Sequence, residues 1–124
     1  MPITGYNHMA LQVSDLASAE RFYEQGLGLE KAPRPEFAIP GAWYAVGDSL
    51  LHLIVLDGGP KEVRRMPHVA LNVDLDALRQ INETAPAAGG TAVTPLVSRT
   101  DTGTEVWTAN FADPDGNVVE LTTA

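Results

Sequence analysis

One phrase occurs twice in this 124-residue chain, each time with a histidine at its second position. Asn7-His8-Met9-Ala10-Leu11-Gln12-Val13 returns as Pro67-His68-Val69-Ala70-Leu71-Asn72-Val73, keeping histidine, alanine, leucine and valine at the same offsets. Late in the first half stands Leu51-His52-Leu53, answered late in the second by Val119-Glu120-Leu121. Such a duplication restricts the fold. A half of about 60 residues buries too little surface to be stable alone, so the halves must share a core with each other or with a second copy of the chain. All three histidines fall in these echoes, beside one carboxylate.

The order of elements repeats as well. Residues 6–13 alternate like a strand, with Met9, Leu11 and Val13 on one side and His8, Ala10 and Gln12 on the other. Ser14 or Asp15 caps a helix through Phe22 and Tyr23 to about Gln25, which Gly26 and Gly28 stop. A short strand over 28–32 precedes a loop from Arg34-Pro35 to Pro40-Gly41, because two prolines do not sit in a sheet interior. Trp43 to Val46 and Ser49 to Leu56 form a hairpin across Gly47-Asp48. Asp57 to Arg65 reads as a linker, rich in breakers and charge and carrying a small solvated basic cluster from Lys61 to Arg65.

In the second half, strand 67–73 is followed by a helix from Asp74 or Asp76 to about Thr84. Gly89-Gly90 precedes a short strand, a polar loop covers Ser98 to Gly103, and a strand spans 104–111. The turn Asp113-Pro114-Asp115-Gly116 and strand 117–122 close the chain. The sum is βαβββ twice.

Composition narrows the function. A net charge of -8 opposes binding to nucleic acid, whose phosphates need a basic footprint, and opposes docking on anionic lipid. The longest apolar stretch, Leu50 to Leu56, is too short to span a bilayer, and the N-terminal residues carry no signal-peptide pattern, so a cytoplasmic protein is expected. With no cysteine, any metal must take nitrogen and oxygen ligands.

His8, His68 and Glu120 each fall on the less apolar face of their strand, which suits a cavity lining, while the opposite faces suit helix packing. His52 is ambiguous, since both faces of its strand are apolar. Glu120 amid Val118, Val119 and Leu121 needs a partner against its desolvation cost. One divalent transition metal (Zn, Ni, Co, Fe or Mn), held by His8, His52, His68 and Glu120, supplies it. A single histidine in an apolar strand is more often a hydrogen-bonded core residue, but three of three at repeat-related positions favour a shared site.

Trp43, Trp107 and Phe111 are candidates for a pocket floor, although aromatics in strands are more often plain core. Gln12 and Asn72 share the histidine faces, and Arg34 on the proline loop is a candidate for an anionic substrate group. Asp113 and Asp115 read as turn residues, not ligands.

Asp15-Leu16 with Glu20-Arg21-Phe22-Tyr23 and Leu27-Gly28-Leu29, and Phe111-Ala112-Asp113-Pro114-Asp115-Gly116-Asn117 with Val119-Glu120-Leu121, resemble two signatures of one family. That family is the vicinal oxygen chelate superfamily of glyoxalases, bleomycin-resistance proteins and extradiol dioxygenases, and the resemblance covers essentially the whole chain. It implies an α+β fold of two paired βαβββ modules, whose eight strands curl into a cup around a divalent metal with the helices on the outside. One domain over residues 1–124 is expected, with module one about 1–58, a linker about 58–66 and module two about 67–124.

The family's ligand positions fall on His8, His52, His68 and Glu120. Glyoxalase I and the epimerases usually have glutamate or glutamine where this chain has His52, so Glu120 and His52 become the candidates for moving a proton. If His52 stands aside, His8, His68 and Glu120 make the triad of extradiol dioxygenases and fosfomycin-resistance thiol transferases. Gln12 and Leu56 replace an arginine and an asparagine that contact glutathione in glyoxalase I. Arg34-Pro35 to Phe37, Gly41-Ala42-Trp43, Gly47 and His52-Leu53 resemble a less characterised glyoxalase-like branch.

The resemblance thus implies a metal-dependent lyase or isomerase acting on a small molecule that chelates through vicinal oxygens. An Fe(II) dioxygenase, a thiol-transferase resistance enzyme and a drug-sequestering protein are the alternatives. A homodimer is expected, because many relatives complete the site with modules from two chains.

Overall fold

In the computed structural model of the chain, residues 3, 5–56, 63–101 and 103–123 are described. Asp57 to Glu62 of the expected linker, including Lys61 of its basic cluster, lie outside the described residues. Module one contains β1 (His8–Val13), α1 (Leu16–Glu20) continuing into a π-helical turn (Arg21–Gly26), β2 (Glu30–Lys31), β3 (Gly41–Val46) and β4 (Ser49–Val55). Module two contains β5 (Arg64–Asn72), α2 (Leu75–Ala87), β6 (Thr91–Arg99), β7 (Val106–Ala112) and β8 (Asn117–Thr122). The eight strands form two four-stranded sheets of matching topology, β1-β4-β3-β2 and β5-β8-β7-β6. β1 runs parallel to β4, as β5 does to β8, and the remaining pairs are antiparallel.

Local chemistry places the helices. The Asp15 carboxylate accepts from the Ser18 backbone N–H at 2.9 Å and from the Ser18 hydroxyl at 2.6 Å, capping α1. Asp74 caps α2 in the same way through Ala77 N–H at 2.7 Å. The π-helical turn admits an extra residue, with Leu27 N–H reaching back to Phe22 O at 3.0 Å. Gly26 ends the turn against α2, where a β-carbon would stand 3.3 Å from Ala85 Cα. The bare glycine is what lets the two helices approach.

Most element boundaries differ from the sequence reading by one or two residues, and three differ by more. β5 begins at Arg64 instead of 67, and α2 runs past Thr84 to Ala87 with Pro86 in its last turn. β6 is nine residues long, not short, and Ser98 and Arg99 pair with Trp107 and Val106 inside the expected loop. An edge strand tolerates Pro95, and the register accordingly shifts between Thr94 and Val97.

One core joins the modules. Val13, Phe22, Tyr23, Tyr44, Leu51 and Leu53 from the first meet Leu78, Ile81, Ala85, Phe111, Val119 and Leu121 from the second. α1 lies on β3 and β4, α2 lies on β6 and β7, and α2 also packs on the π-helical turn. Polar ties cross the same seam: Thr84 Oγ1 donates to Gly26 O at 2.7 Å, and Arg21 Nη2 donates to Ala87 O at 2.7 Å. The faces carrying His8, His52, His68 and Glu120 are the opposite ones, so relative to those faces the helices sit outside. Two four-stranded sheets with helices on their outer faces match the paired βαβββ cup that the sequence implied.

Candidate metal and substrate site

The structure brings the four expected donors together in two pairs. On the first sheet, Ala10 is the register partner of His52 and Trp43 lies opposite it, which puts His8 on the neighbouring diagonal. The rings stack in a row. His8 and His52 have centroids 4.0 Å apart with planes inclined by 13°, and His52 and Trp43 lie at 4.2 Å and 2°. The ambiguity over His52 is thereby resolved: it shares the face of His8, while Leu51 and Leu53 enter the core. His8 Nδ1 lies 2.7 Å from Asn7 Oδ1. With that oxygen as acceptor, the proton sits on Nδ1 and Nε2 keeps a lone pair for a ligand.

On the second sheet, His68 Nε2 stands 3.1 Å from Glu120 Oε1. The other carboxylate oxygen accepts from Thr108 Oγ1 at 3.1 Å. Asn110 faces Glu120 in register but donates to Thr94 Oγ1 at 2.8 Å. Two ligands on one ion, each about 2.1 Å away and at right angles, lie about 3 Å apart. His68 and Glu120 stand close to that spacing, which is also that of an imidazole–carboxylate hydrogen bond, and their nitrogen and oxygen donors suit a divalent ion. Thr108 and Asn7 hydrogen-bond Glu120 and His8, and the sequence reading missed both. For Asn7 a signal existed in its adjacency to His8. Thr108 needed the β7–β8 register.

Among the described residues, no three His, Asp or Glu side chains come together in one chain. The pairs lie on different sheets, His8 and His52 on the first and His68 and Glu120 on the second. The stack adds a constraint within the first pair. An imidazole ligates in its own plane, and two planes about 4 Å apart and inclined by 13° meet far beyond a bond of about 2.1 Å. In this arrangement His8 and His52 cannot both ligate one ion.

The remaining candidates separate clearly. Trp43 joins the stack, Gln12 and Asn72 lie exposed on the faces of His8 and His68, and Gln12 Nε2 donates to Leu56 O at 3.3 Å. Trp107, expected in the pocket, packs against the core with Ala109 and Phe111, on the opposite side of β7 from Thr108. Strand parity puts it there. Asp113 is buried in the closing turn and Asp115 accepts from Ser14 N–H at 3.1 Å, so both serve as turn residues.

Arg34 comes from its loop to a groove of about 480 Å³, shared with Phe37, Ile39, Trp43, His52 and Ile54. Burial, then the neighbouring His8, then Arg34 hold the His52 imidazole below its ordinary value, keeping it neutral at pH 7.

Comparisons with known proteins agree with this architecture. The sequence profile of the Glyoxalase/Bleomycin resistance protein/Dioxygenase superfamily matches residues 5–121, and the chain belongs to that family. No curated protein sequence matches it significantly. Among solved structures it is similar to the fosfomycin resistance protein FosX of Listeria monocytogenes (TM-score 0.76, 19% identity, 99% of this chain and 93% of that one). It is also similar to a glyoxalase-related enzyme from Fulvimarina pelagi (0.76, 22%, 97% and 88%). A glyoxalase/bleomycin resistance protein from Albidiferax ferrireducens is a third (0.75, 21%, 94% and 96%). At such identities the likeness establishes the fold alone. Among the described residues, no helix is long and apolar enough to cross a membrane.

Proposed function

We propose that the protein is a divalent-metal-dependent lyase or isomerase of glyoxalase type, working as a homodimer on a small substrate with two neighbouring oxygens. His8, His68 and Glu120 hold the metal, and His52 stands beside it as a proton-transfer group. The observation that carries the reading is the pairing of His68 with Glu120 at 3.1 Å, with Thr108 restraining the second carboxylate oxygen. A carboxylate so placed is worth its desolvation cost when a cation completes the pair.

The site is completed by a second copy of the chain. β1 and β5 are each the outermost strand of their sheet, and the outer edge of β1 is met at Gln12 O by Asn117 Nδ2 at 2.8 Å. Laying β1 of one copy along β5 of the other brings His8 and His52 over His68 and Glu120. An isologous dimer makes two such sites.

The metal's contribution when bound is Lewis-acid polarisation of the chelating oxygens, which acidifies the neighbouring C–H. The protein's own groups do the rest. His52 is neutral, and its ring is held rigidly between His8 and Trp43, so it accepts a proton without first losing one. Glu120 is the second proton carrier, with its orientation fixed by Thr108. Trp43 and Ile54 keep water from the reacting face of the substrate.

Elemental analysis of the purified protein, before and after reconstitution with Zn, Ni, Co, Fe and Mn, tests this reading. One ion per chain is expected. No stoichiometric ion under any condition would leave a sequestering protein in its place. With the metal in hand, a screen of 2-oxoaldehyde–thiol adducts tests the isomerase chemistry, and oxygen uptake with catechols under Fe(II) tests the dioxygenase alternative.

A further inference from the structure

We propose that the groove over His52 is a recognition site for an organic monoanion, a carboxylate attached to a small flat apolar body. The proposal assigns a substrate class to the site described above, but its physical basis is separate from the metal. Among the described residues, two buried side-chain nitrogens have no hydrogen-bond partner, Arg34 Nε and His52 Nε2. Both side chains line the same groove. A buried donor left unpaired is destabilising, and two lining one groove mark a position where an acceptor belongs.

Arg34 is held there at some expense. Its Nη2 donates to Ile39 O at 2.7 Å and its guanidinium lies 5.0 Å from the Phe37 ring, while no described carboxylate pairs with it. Gly41 makes the room: a β-carbon there would run into Leu53 O and stand 3.1 Å from Arg34 Nη2. The rest of the groove is apolar, with Phe37, Ile39, Ile54 and the Trp43–His52 stack as its walls.

This combination selects the ligand. A flat apolar body rests against the indole, and its carboxylate accepts from Arg34 Nε–H and from His52 in the Nε2–H tautomer. One guanidinium in a chain of net charge -8 favours a monoanion over a dianionic phosphate. Both nitrogens are covered in the free protein, so entry requires the 35–40 loop to yield. Phe37 and Ile39, at 54% and 48% exposure, have few contacts to lose.

The test uses the full chain stripped of metal with a chelator, titrated with benzoate and followed by tryptophan fluorescence and by the His52 ring resonances. Benzoate should bind saturably. Benzamide (neutral), acetate (no apolar body) and inorganic phosphate should each bind at least about tenfold more weakly, the factor expected for losing one charge-assisted hydrogen bond or the stacked ring. Arg34→Met should lose benzoate by a similar factor with its melting temperature retained. If Arg34→Met is unstable, Phe37→Ala and Arg34→Lys serve instead, each expected to weaken benzoate severalfold. Benzamide or phosphate matching benzoate, or variants binding benzoate like the wild type, would overturn the proposal. Binding of benzoate that disappears on removing metal would also overturn it while leaving the metal reading intact. Benzoate binding by a chain that never takes up metal would defeat the metal reading alone.

Discussion

Asp113 accepts four hydrogen bonds where the closing turn meets the first helix. They come from Tyr23 Oη at 2.8 Å, from the backbone N–H groups of Asp115 and Asn117 at 2.9 Å each, and from Asn117 Nδ2 at 2.8 Å. Burial pushes its carboxyl above the usual carboxylate range, and these donors pull it back part of the way. The Tyr23 hydroxyl is raised well above 10, first by burial and then by the Asp113 charge. A phenol with a raised folded value contributes fully below the unfolded value of about 10 and loses that contribution as pH climbs past it. Unfolding free energy should therefore fall above pH ~10 by about 1.4 kcal/mol per pH unit for this one proton. Tyr23→Phe should cost about 1–3 kcal/mol at pH 7 by leaving Asp113 short of a donor, and should flatten the alkaline slope by one proton. Denaturant unfolding from pH 7 to 11 measures both, and equal slopes for the two proteins would refute the assignment. A second residue-scale prediction concerns Thr108. Thr108→Val should leave the fold intact and weaken metal binding by about 10–100-fold, since the hydroxyl orients Glu120. Metal titration at fixed pH reads it, and unchanged affinity would remove Thr108 from the site.

Helix-to-sheet contacts set the tolerance of the elements. A β-carbon at Gly90, just past α2, would stand 2.8 Å from Ala85 O and collide with the Phe22 ring. Both neighbours are fixed, one by backbone and one by complete burial. Gly90→Ala should cost about 1–3 kcal/mol through overpacking, whereas Asp74→Ala, which removes only the α2 cap, should cost about 1 kcal/mol. Thermal melts of the two variants rank them, and the reverse order would contradict the packing account. This scale also shows how far alternation reaches. In β1, β5 and β8 a period of two says which side chains share a face, and His8, His68 and Glu120 lie accordingly. It fails for β4, where Leu50, Ile54, Leu51 and Leu53 make both faces apolar, and there the partner strands had to place His52 beside His8 and Trp43. The π-helical turn is invisible in the sequence because it is a shift of hydrogen-bond partner within an ordinary helical pattern. The length of β6 was hidden by Pro95, which an edge position tolerates.

At the scale of the molecule, the duplication foretold two modules and four repeat-related donors, and left open whether the core is shared within one chain or between two. It did not foretell that the donors would separate. Which donors pair is set by strand register, a matter of contacts between residues far apart in the chain. The proposed metal site is shared between copies of the chain, and one measurement tests that directly. His8→Ala and His68→Ala are each expected to destroy both sites of their own homodimer. When the two variants are unfolded together and refolded, half of the dimers should be mixed, and each mixed dimer carries one intact site and one doubly damaged site. Bound metal, measured by elemental analysis after desalting, should rise from near zero to about a quarter of the wild-type value. If the mixture stays as empty as its components while the wild type binds metal, the site is not shared between copies, and the arrangement proposed here is wrong.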